Sequence, residues 1–249
     1  MHVAGLTNKG LERPRNEDSC FVKTDSDNAL LAVADGMGGH RAGNVASDLA
    51  IAIAEHFWAG FDRSSPLSAE KARSMVRSLV LEANEQVMAE ADNISERRGM
   101  GTTFTVGLVC GNRLTIGHIG DSRAYLINDG QIKLLTRDHS LVEQLIDSGQ
   151  VKPEEAKSHP QRHILTRALG IGPDPQVDIE DLEIEPGSAL LFCTDGLTNM
   201  VGDEEILAAA SKQSDPQLLA EALIELANSR GGFDNITVVV AIGIGGQES

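Results

Sequence analysis

Six acidic residues lie at the ends of apolar, strand-like runs, each in a turn or beside a glycine. Two of these runs, ALLAVADG (29–36) and ALLFCTDG (189–196), end in the same Asp-Gly pair although they lie far apart in the chain. One Asp-Gly pair is an ordinary turn signal. Six acids at five strand ends instead indicate a cluster, and its members are Glu17, Asp18, Asp35, Asp121, Asp195 and Asp234.

A cluster of carboxylates at converging strand ends predicts bound cations. Like charges a few ångströms apart repel by roughly several kcal/mol in a partly dry site unless cations lie between them. All the candidate ligands are hard oxygen atoms, and no His-x-x-x-His or Cys pattern accompanies them. Such ligands suit Mg²⁺ or Mn²⁺ rather than structural zinc. Gly36 adds a backbone carbonyl that can approach a metal ion closely, because glycine has no Cβ. Spacing alone does not bring the strand ends together, so their convergence is a prediction about the fold.

Eight short apolar runs predict the strands that carry these acids. They cover residues 19–24, 29–34, 103–110, 113–120, 124–127, 131–135, 189–194 and 236–243. Gly111-Asn112 and Asn128-Asp129-Gly130 are tight-turn signals between successive runs. The chain between 103 and 135 is therefore predicted to form an antiparallel meander.

Helices are predicted before and after this strand-rich region. Apolar residues recur at helical spacing around 45–57, 72–91 and 219–226. Ser65-Pro66 suits the start of the second helix, and Asp215-Pro216 suits the start of the last. Helices and strands fall in separate blocks, which favours an α+β layered domain over an alternating α/β fold. Because no repeat or linker divides the sequence, we expect one domain over 1–249.

Composition excludes several classes of function. The 249 residues include 37 acids and 21 bases, a formal net charge of −16, which argues against nucleic-acid or anionic-membrane binding. The longest apolar run, 236–246, is well below the ~18 residues of a membrane span, and the N-terminus has no apolar signal core. Three widely spaced cysteines are expected to be reduced core residues, which predicts a cytoplasmic protein.

Seven sequence blocks place the acids in a larger pattern. They are Arg13-x-x-Asn16-Glu17-Asp18, Asp35-Gly36-Met37-Gly38-Gly39-His40, Gly101-Thr102-Thr103, Gly120-Asp121-Ser122-Arg123, Asp138-His139-Ser140, Thr194-Asp195-Gly196 and Gly231-Gly232-x-Asp234-Asn235-x-Thr237. In this order the blocks resemble the metal-dependent serine/threonine protein phosphatases (the PPM or type 2C family) in their compact bacterial form. The resemblance implies a four-layer sandwich of two antiparallel β-sheets flanked by helix pairs. It also implies a flap segment, at about 138–175, over the active site.

The resemblance also assigns the ligands of two core metal ions, Mn²⁺ or Mg²⁺. Asp35 resembles the carboxylate that bridges both ions, and the Gly36 carbonyl would complete the shell of one of them. Asp195 and Asp234 resemble ligands of the other ion.

Further residues are assigned to the surroundings of these ions. Glu17 and Asp18 would hold metal-bound waters, and Asp121 resembles a ligand of a weaker third ion that it shares with Asp195. Arg13 resembles the arginine that binds the substrate phosphate, for which a planar guanidinium with two-point contact is suited.

The implied reaction is metal-dependent hydrolysis of phosphoserine and phosphothreonine in proteins, by in-line attack of a hydroxide that bridges the two ions. Phosphorylated proteins are the expected substrates, a serine/threonine protein kinase the expected opposing partner, and a monomer the expected state. Position 37 is Met, whereas many eukaryotic members have a His there that is a proposed general acid. The proton donor is therefore open between His40 and a metal-bound water.

Two other functions compete with this interpretation. A catalytically silent member of the same fold would be expected to lack one of the metal-binding aspartates, but Asp35, Asp195, Asp234 and also Arg13 are present. A calcium-binding structural protein would carry EF-hand or repeat-type loops with several acids each, and the sequence contains none. An active phosphatase is the favoured prediction.

Overall fold

Eleven strands and six helices account for most of the described chain. The computed structural model describes residues 1–38, 42–63 and 67–245, without the side chains of 157 and 158. The strands are β1 His2–Asn8, β2 Asp18–Asp25, β3 Asn28–Met37, β4 Gly101–Thr102, β5 Phe104–Cys110, β6 Arg113–Ile119, β7 Arg123–Asn128, β8 Gln131–Leu134, β9 Asp178–Glu183, β10 Ala189–Cys193 and β11 Ile236–Ile242. The helices are α1 Gly43–Gly60, α2 Ala69–Asn93, α3 Leu141–Asp147, α4 Asp195–Thr198, α5 Asp203–Ala210 and α6 Pro216–Ser229.

The strands form two antiparallel sheets. The first has the order β1-β11-β10-β7-β8, and the second has the order β2-β3-β5-β6-β9 with β4 paired to β3. Helices α1 and α2 cover the outer face of the second sheet, and α4 to α6 cover the outer face of the first. The predicted α+β fold of two antiparallel sheets between helices is confirmed.

Burial on both faces explains why the central strands are continuously apolar. In β3, alternate side chains point to opposite faces of the sheet. Leu30, Ala32 and Ala34 pack in the cluster under α1 and α2. Ala29, Leu31 and Val33 pack in the cluster between the two sheets. The same alternation in β10 and β11 builds the core under α6.

All eight predicted strands are present, but the predicted meander is wrong. The two hairpins around Gly111 and Asp129 form as expected, yet β5-β6 belongs to the second sheet and β7-β8 to the first. The chain crosses between the sheets at Gly120, whose φ of 113° is a left-handed conformation that favours glycine. This crossing places Asp121 between the two sheets.

Three strands were not predicted. β4 has only two residues, and β1 and β9 lie at sheet edges where the sequence is mixed in polarity. β9, with the sequence DIEDLE, pairs with β6, where Asp181 accepts a hydrogen bond from Thr115 (2.9 Å) and forms an ion pair with Arg113. Charged residues on an edge strand are common and hide the strand from a search for apolar runs.

The three predicted helices are present, and α2 begins later than predicted. Helix α6 begins after Asp215, whose carboxylate accepts hydrogen bonds from the backbone of 217 and 218. Helix α2 begins at Ala69, and the side chain of Ser68 caps it by accepting from Lys71 N (3.3 Å). The predicted start at Ser65-Pro66 lies outside the described residues. No helix in the described part of the chain has the length and apolar character that spanning a membrane requires.

Candidate active site

The strand ends that carry the predicted acids meet at one side of the sandwich. β2 and β3 place Asp18 opposite Asp35 in register. Asp195 follows β10 and Asp234 precedes β11, its antiparallel neighbour. A cavity of about 1190 Å³ opens at this point. Seven of the predicted site residues line it: Arg13, Glu17, Asp35, Gly36, Asp121, Asp195 and Asp234.

Asp18 is buried next to this cavity, and only one of its two carboxylate oxygens accepts hydrogen bonds. Its Oδ2 accepts hydrogen bonds from the hydroxyl groups of Thr194 (2.8 Å) and Thr237 (2.7 Å). Its Oδ1 is buried and has no hydrogen-bond partner among the described residues. Burial, together with the nearby charges of Asp195 and Asp234, raises the pKa of Asp18 to about 7. A buried carboxylate oxygen without a donor fits a bound cation or a cation-bound water.

The other carboxylates of the cluster repel one another. Burial raises the pKa of Asp35 well above its ordinary value, and the charges of Asp18, Asp195 and Asp121 raise it further. The pKa values of Asp121 and Asp195 are raised by burial first and then by a neighbouring aspartate, Asp195 for Asp121 and Asp234 for Asp195. The strand ends therefore converge as predicted, because Asp35 lies within electrostatic range of Asp18, Asp195, Asp121 and Asp234.

The backbone around Asp35 is fixed by two threonines of the Gly-Thr-Thr block. The Asp35 N–H donates to Thr103 Oγ1 (2.9 Å), and its carbonyl accepts from Thr102 Oγ1 (2.9 Å) and Thr103 N (2.9 Å). A Cβ on Gly36 would lie 2.1 Å from the Gly43 carbonyl oxygen, so only glycine fits there. The sequence suggested that Gly36 allows its carbonyl to approach a metal ion. The structure gives a second reason for glycine, which is the close packing against the start of α1.

Arg13 lies at the mouth of the cavity in an ion pair. Its Nη2 lies 2.7 Å from Asp234 Oδ2, and about half of its side chain is exposed. The loop that carries Arg13 is fixed by Asn235, whose Nδ2 donates to the carbonyls of Lys9 (2.8 Å) and Arg15 (2.8 Å). The predicted phosphate-binding arginine thus lies beside a predicted metal ligand.

Positioning residues were missed by the sequence reasoning. Asn235, Thr194 and Thr237 hold the loop of Arg13 and the carboxylate of Asp18, but only the acids of their blocks were assigned roles. Their position directly beside the acids in the motif blocks was the available signal. A polar side chain next to a buried carboxylate commonly fixes its orientation.

The segment 138–175 forms the opposite wall of the cavity. His163, Leu165, Thr166, Arg167, Ala168 and Ile171 line it. Asp138 anchors the start of the segment in a two-point ion pair with Arg123, through Nε (2.9 Å) and Nη2 (2.7 Å). The buried amide of Asn84 anchors its end by accepting from Gly170 N (2.9 Å) and donating to the Gly172 carbonyl (2.9 Å).

A buried histidine pair lies below this wall and is not free to bind metal. His139 accepts from Gly120 N at Nδ1 (3.1 Å), so its Nε2 carries the proton that is donated to Asp178 Oδ2 (3.0 Å). Its ring lies 4.7 Å from that of His118. Burial lowers the pKa of both rings, and that of His118 falls to about 4. Both imidazoles are therefore neutral structural groups.

The carboxylates of the cluster were tested as a ligand set for a divalent cation among the described residues. In the described ranges, no three His, Cys, Asp or Glu side chains are spaced as the ligands of a metal ion are. Protein donors engage several of the oxygens: Asn199 Nδ2 donates to Asp195 Oδ2 (2.9 Å), and Arg13 donates to Asp234. The residues nevertheless fit divalent cations, because the donors are hard oxygens, they repel one another, and Asp18 Oδ1 lacks a partner. His40, the candidate proton donor, lies outside the described residues.

The comparisons with known proteins agree with this geometry. Residues 12–226 match the family model described as Protein phosphatase 2C. The serine/threonine phosphatase Stp of Listeria welshimeri is 38% identical over 241 residues, which cover 96% of this chain and 95% of that protein. The crystal structure of the Mycobacterium tuberculosis serine/threonine phosphatase PstP/Ppp is 41% identical with a TM-score of 0.87, covering 97% of each chain. A structure of the PstP catalytic domain with two manganese ions is 39% identical with a TM-score of 0.85, again covering 97% of each chain.

These matches cover nearly the whole sequence and the whole fold. The chain belongs to the protein phosphatase 2C family. The interpretation of the seven motif blocks as those of a bacterial serine/threonine protein phosphatase is confirmed.

Proposed function

We propose that this phosphatase hydrolyses phosphoserine and phosphothreonine in proteins with Mn²⁺ or Mg²⁺ bound at the acidic end of the cavity. The observation that carries the proposal is the cluster of buried carboxylates whose pKa values are raised by burial and by one another, beside a guanidinium at the cavity mouth. The two manganese ions bound to the similar PstP catalytic domain support it.

The proposed ligands follow the motif blocks. Asp35 would hold both ions, the Gly36 carbonyl would hold one of them, and Asp195 and Asp234 would hold the other. Glu17 lines the cavity and Asp18 lies buried beside it, where both suit contacts through bound water.

A third, weaker ion is proposed between Asp121 and Asp195. The raised pKa of Asp121, caused by burial and then by the charge of Asp195, supports this assignment. Asp121 lies where the chain crosses between the two sheets, and it lines the same cavity as Asp35, Asp195 and Asp234.

Bound in a pair, such ions supply a hydroxide nucleophile near neutral pH for in-line attack on phosphorus. The protein's own contribution is positioning. Arg13, which is paired with Asp234, would bind two oxygens of the substrate phosphate. Met37 cannot donate a proton, so the leaving serine or threonine oxygen receives one from His40 or from water.

Phosphate release from a phosphothreonine peptide and from p-nitrophenyl phosphate tests this proposal. We expect turnover with Mn²⁺ or Mg²⁺ and its loss in EDTA, with recovery after excess metal is restored. Asp129→Asn serves as the control variant because its acid lies in the β7-β8 turn, where a positive φ of 48° suits Asn. Full turnover in EDTA would contradict the metal-dependent mechanism.

We also propose how the chain works as a whole. Residues 1–249 form one catalytic domain, and the segment 138–175 acts as a flap whose side chains form one cavity wall. A serine/threonine protein kinase supplies the phosphorylated substrates, and the phosphatase acts as a monomer in the cytoplasm. Three unpaired cysteine thiols support a reducing compartment, and sedimentation analysis of the purified protein tests the monomer.

A further inference from the structure

We propose that Leu11 and Phe233 form an apolar patch beside the cavity that binds an apolar side chain of the protein substrate near its phosphoresidue. This inference rests on the proposed phosphatase function and adds a recognition site to it. Leu11 is 63% exposed and Phe233 is 59% exposed, so both side chains offer apolar area to a partner. Neither belongs to the buried apolar clusters of the described chain.

The two side chains belong to loops that contact each other, and each lies over one of two adjacent glycines. A Cβ on Gly232 would lie 2.9 Å from Leu11 Cγ, and a Cβ on Gly231 would lie 2.5 Å from the Phe233 ring. The Leu11 N–H also donates to the Gly232 carbonyl (2.8 Å), which joins the two loops. The glycines thus give both side chains a place on top of the loops. We call Leu11 and Phe233 the loop patch.

Tight packing below the loop patch keeps it at the surface. A Cβ on Gly10 would lie 2.1 Å from the Asp234 carbonyl oxygen and 2.7 Å from the Gly232 carbonyl oxygen. The backbones of the two loops are therefore in direct contact, and no space remains between them for an apolar side chain. Apolar area is less stable in contact with water than when it is buried, so an occupant that covers the loop patch gains binding energy.

The loop patch lies on the same two loops that carry Arg13 and Asp234 to the cavity. Phe233 directly precedes Asp234, and Leu11 lies two residues before Arg13. The ion pair between Arg13 and Asp234 (2.7 Å) joins the same two loops. An extended peptide advances about 3.3 Å per residue, so a residue within a few positions of the phosphoresidue reaches the loop patch. A phosphorylated substrate is therefore the occupant that both features select together.

Kinetics on a set of phosphothreonine peptides test the inference. Each peptide has a Gly/Ser background with one Leu at a single position before or after the phosphoresidue, and a parent peptide has none. We expect wild-type kcat/KM to rise about tenfold at the best Leu position, mainly through KM, as a single apolar contact allows. Leu11→Ser and Phe233→Ser should each remove this preference and leave p-nitrophenyl phosphate hydrolysis within about twofold, since a small substrate does not reach the loop patch.

Two further variants serve as controls. Leu218→Ser changes an apolar side chain on α6 that is 50% exposed and distant in sequence from the cavity residues, and it should keep the preference. Phe233→Leu retains an apolar surface and should keep most of it. Together they separate a recognition role from a general loss of surface hydrophobicity.

The possible results separate this inference from the function on which it rests. If wild type hydrolyses every peptide at the same rate, or if the serine variants keep the Leu preference, the loop patch is not a substrate site. If wild type hydrolyses no phosphopeptide with metal present, the proposed function itself fails. If the variants instead abolish a dimer in sedimentation and leave the peptide preference unchanged, a second copy occupies the patch and the inference is overturned.

Discussion

The two walls of the cavity are built in different ways. The sheet wall consists of strand ends, where β2-β3 and β10-β11 pairing places aspartates opposite one another. The segment wall, 138–175, has only the short helix α3 and one 3₁₀ turn, and it is joined to the rest of the molecule by side-chain contacts and by a backbone bridge between Thr102 and Leu169. The first wall is therefore fixed by continuous strand pairing, and the second by a smaller number of separate contacts.

The largest effect is expected from a change in the sheet wall. Asp35→Asn keeps the backbone hydrogen bonds to Thr102 and Thr103, because these involve only the main chain of 35. It removes the proposed bridging charge, so kcat for a phosphothreonine peptide should fall by about a thousandfold or more. Steady-state kinetics at saturating Mn²⁺ measure this, with Asp129→Asn as the control. Activity within tenfold of wild type would remove Asp35 from the catalytic machinery.

A smaller loss is expected at the mouth of the sheet wall. Arg13→Ala removes the proposed phosphate-binding side chain and also removes the ion-pair partner of Asp234. We expect kcat/KM to fall about a hundredfold, with most of the change in KM if Arg13 binds the ground state and the transition state equally. Arg13→Lys should recover only part of the loss, because an ammonium cannot form the two-point contact. A loss confined to kcat would show that Arg13 acts chiefly in the transition state.

The sheet wall was largely predictable from sequence, and the segment wall was not. Strand patterns, turn signals and motif blocks identified the acids, since each one terminates or begins an apolar run. Asn84 could not be predicted, because it lies on the apolar stripe of α2 and its partners are the backbone of Gly170 and Gly172. Long-range side-chain contacts to irregular backbone leave no periodic signal.

The change of sheet at Asp121 was missed for a related reason. The sequence pattern of two adjacent hairpins is the same whether or not they share a sheet. Here the pairing of β6 with β9 and of β7 with β10 places the two hairpins in different sheets. Those partners lie far along the chain, so local turn chemistry carries no information about them.

Asn84 offers a direct way to loosen the segment wall alone. Asn84→Ala removes the two hydrogen bonds that hold 170–172, and the two backbone groups lose buried partners at a cost of roughly 1–3 kcal/mol. We expect the peptide KM to rise several-fold and hydrogen exchange in 163–172 to accelerate, with p-nitrophenyl phosphate kcat nearly unchanged. Thermal unfolding provides the check on global stability. Unchanged exchange and unchanged peptide KM would mean that Asn84 does not position the segment.

The smallest expected effect is the pH dependence of the unfolding free energy, to which groups in the two walls contribute with opposite signs. In the sheet wall, burial raises the pKa of Asp18 to about 7, so the metal-free native state is favoured as pH falls toward 4. Below the segment wall, burial and then His139 lower the pKa of His118 to about 4, while Asp138 and Asp178 oppose the shift. His118 is held neutral between Thr105 Oγ1 (2.9 Å) and the Arg137 carbonyl (2.9 Å).

A histidine variant separates these opposite contributions. The stabilising contribution of neutral His118 is complete above the unfolded pKa of 6.5 and is lost as pH falls toward 4. Glutamine does not titrate, so His118→Gln lacks this loss. The unfolding free energy of the variant minus that of wild type should therefore rise by roughly 1–2 kcal/mol as the pH falls from 7 to 5. Urea unfolding of both proteins in EDTA at the two pH values measures the difference, and the sheet-wall acids cancel because both proteins contain them. A difference that stays constant with pH would show that protonation of His118 does not couple to folding.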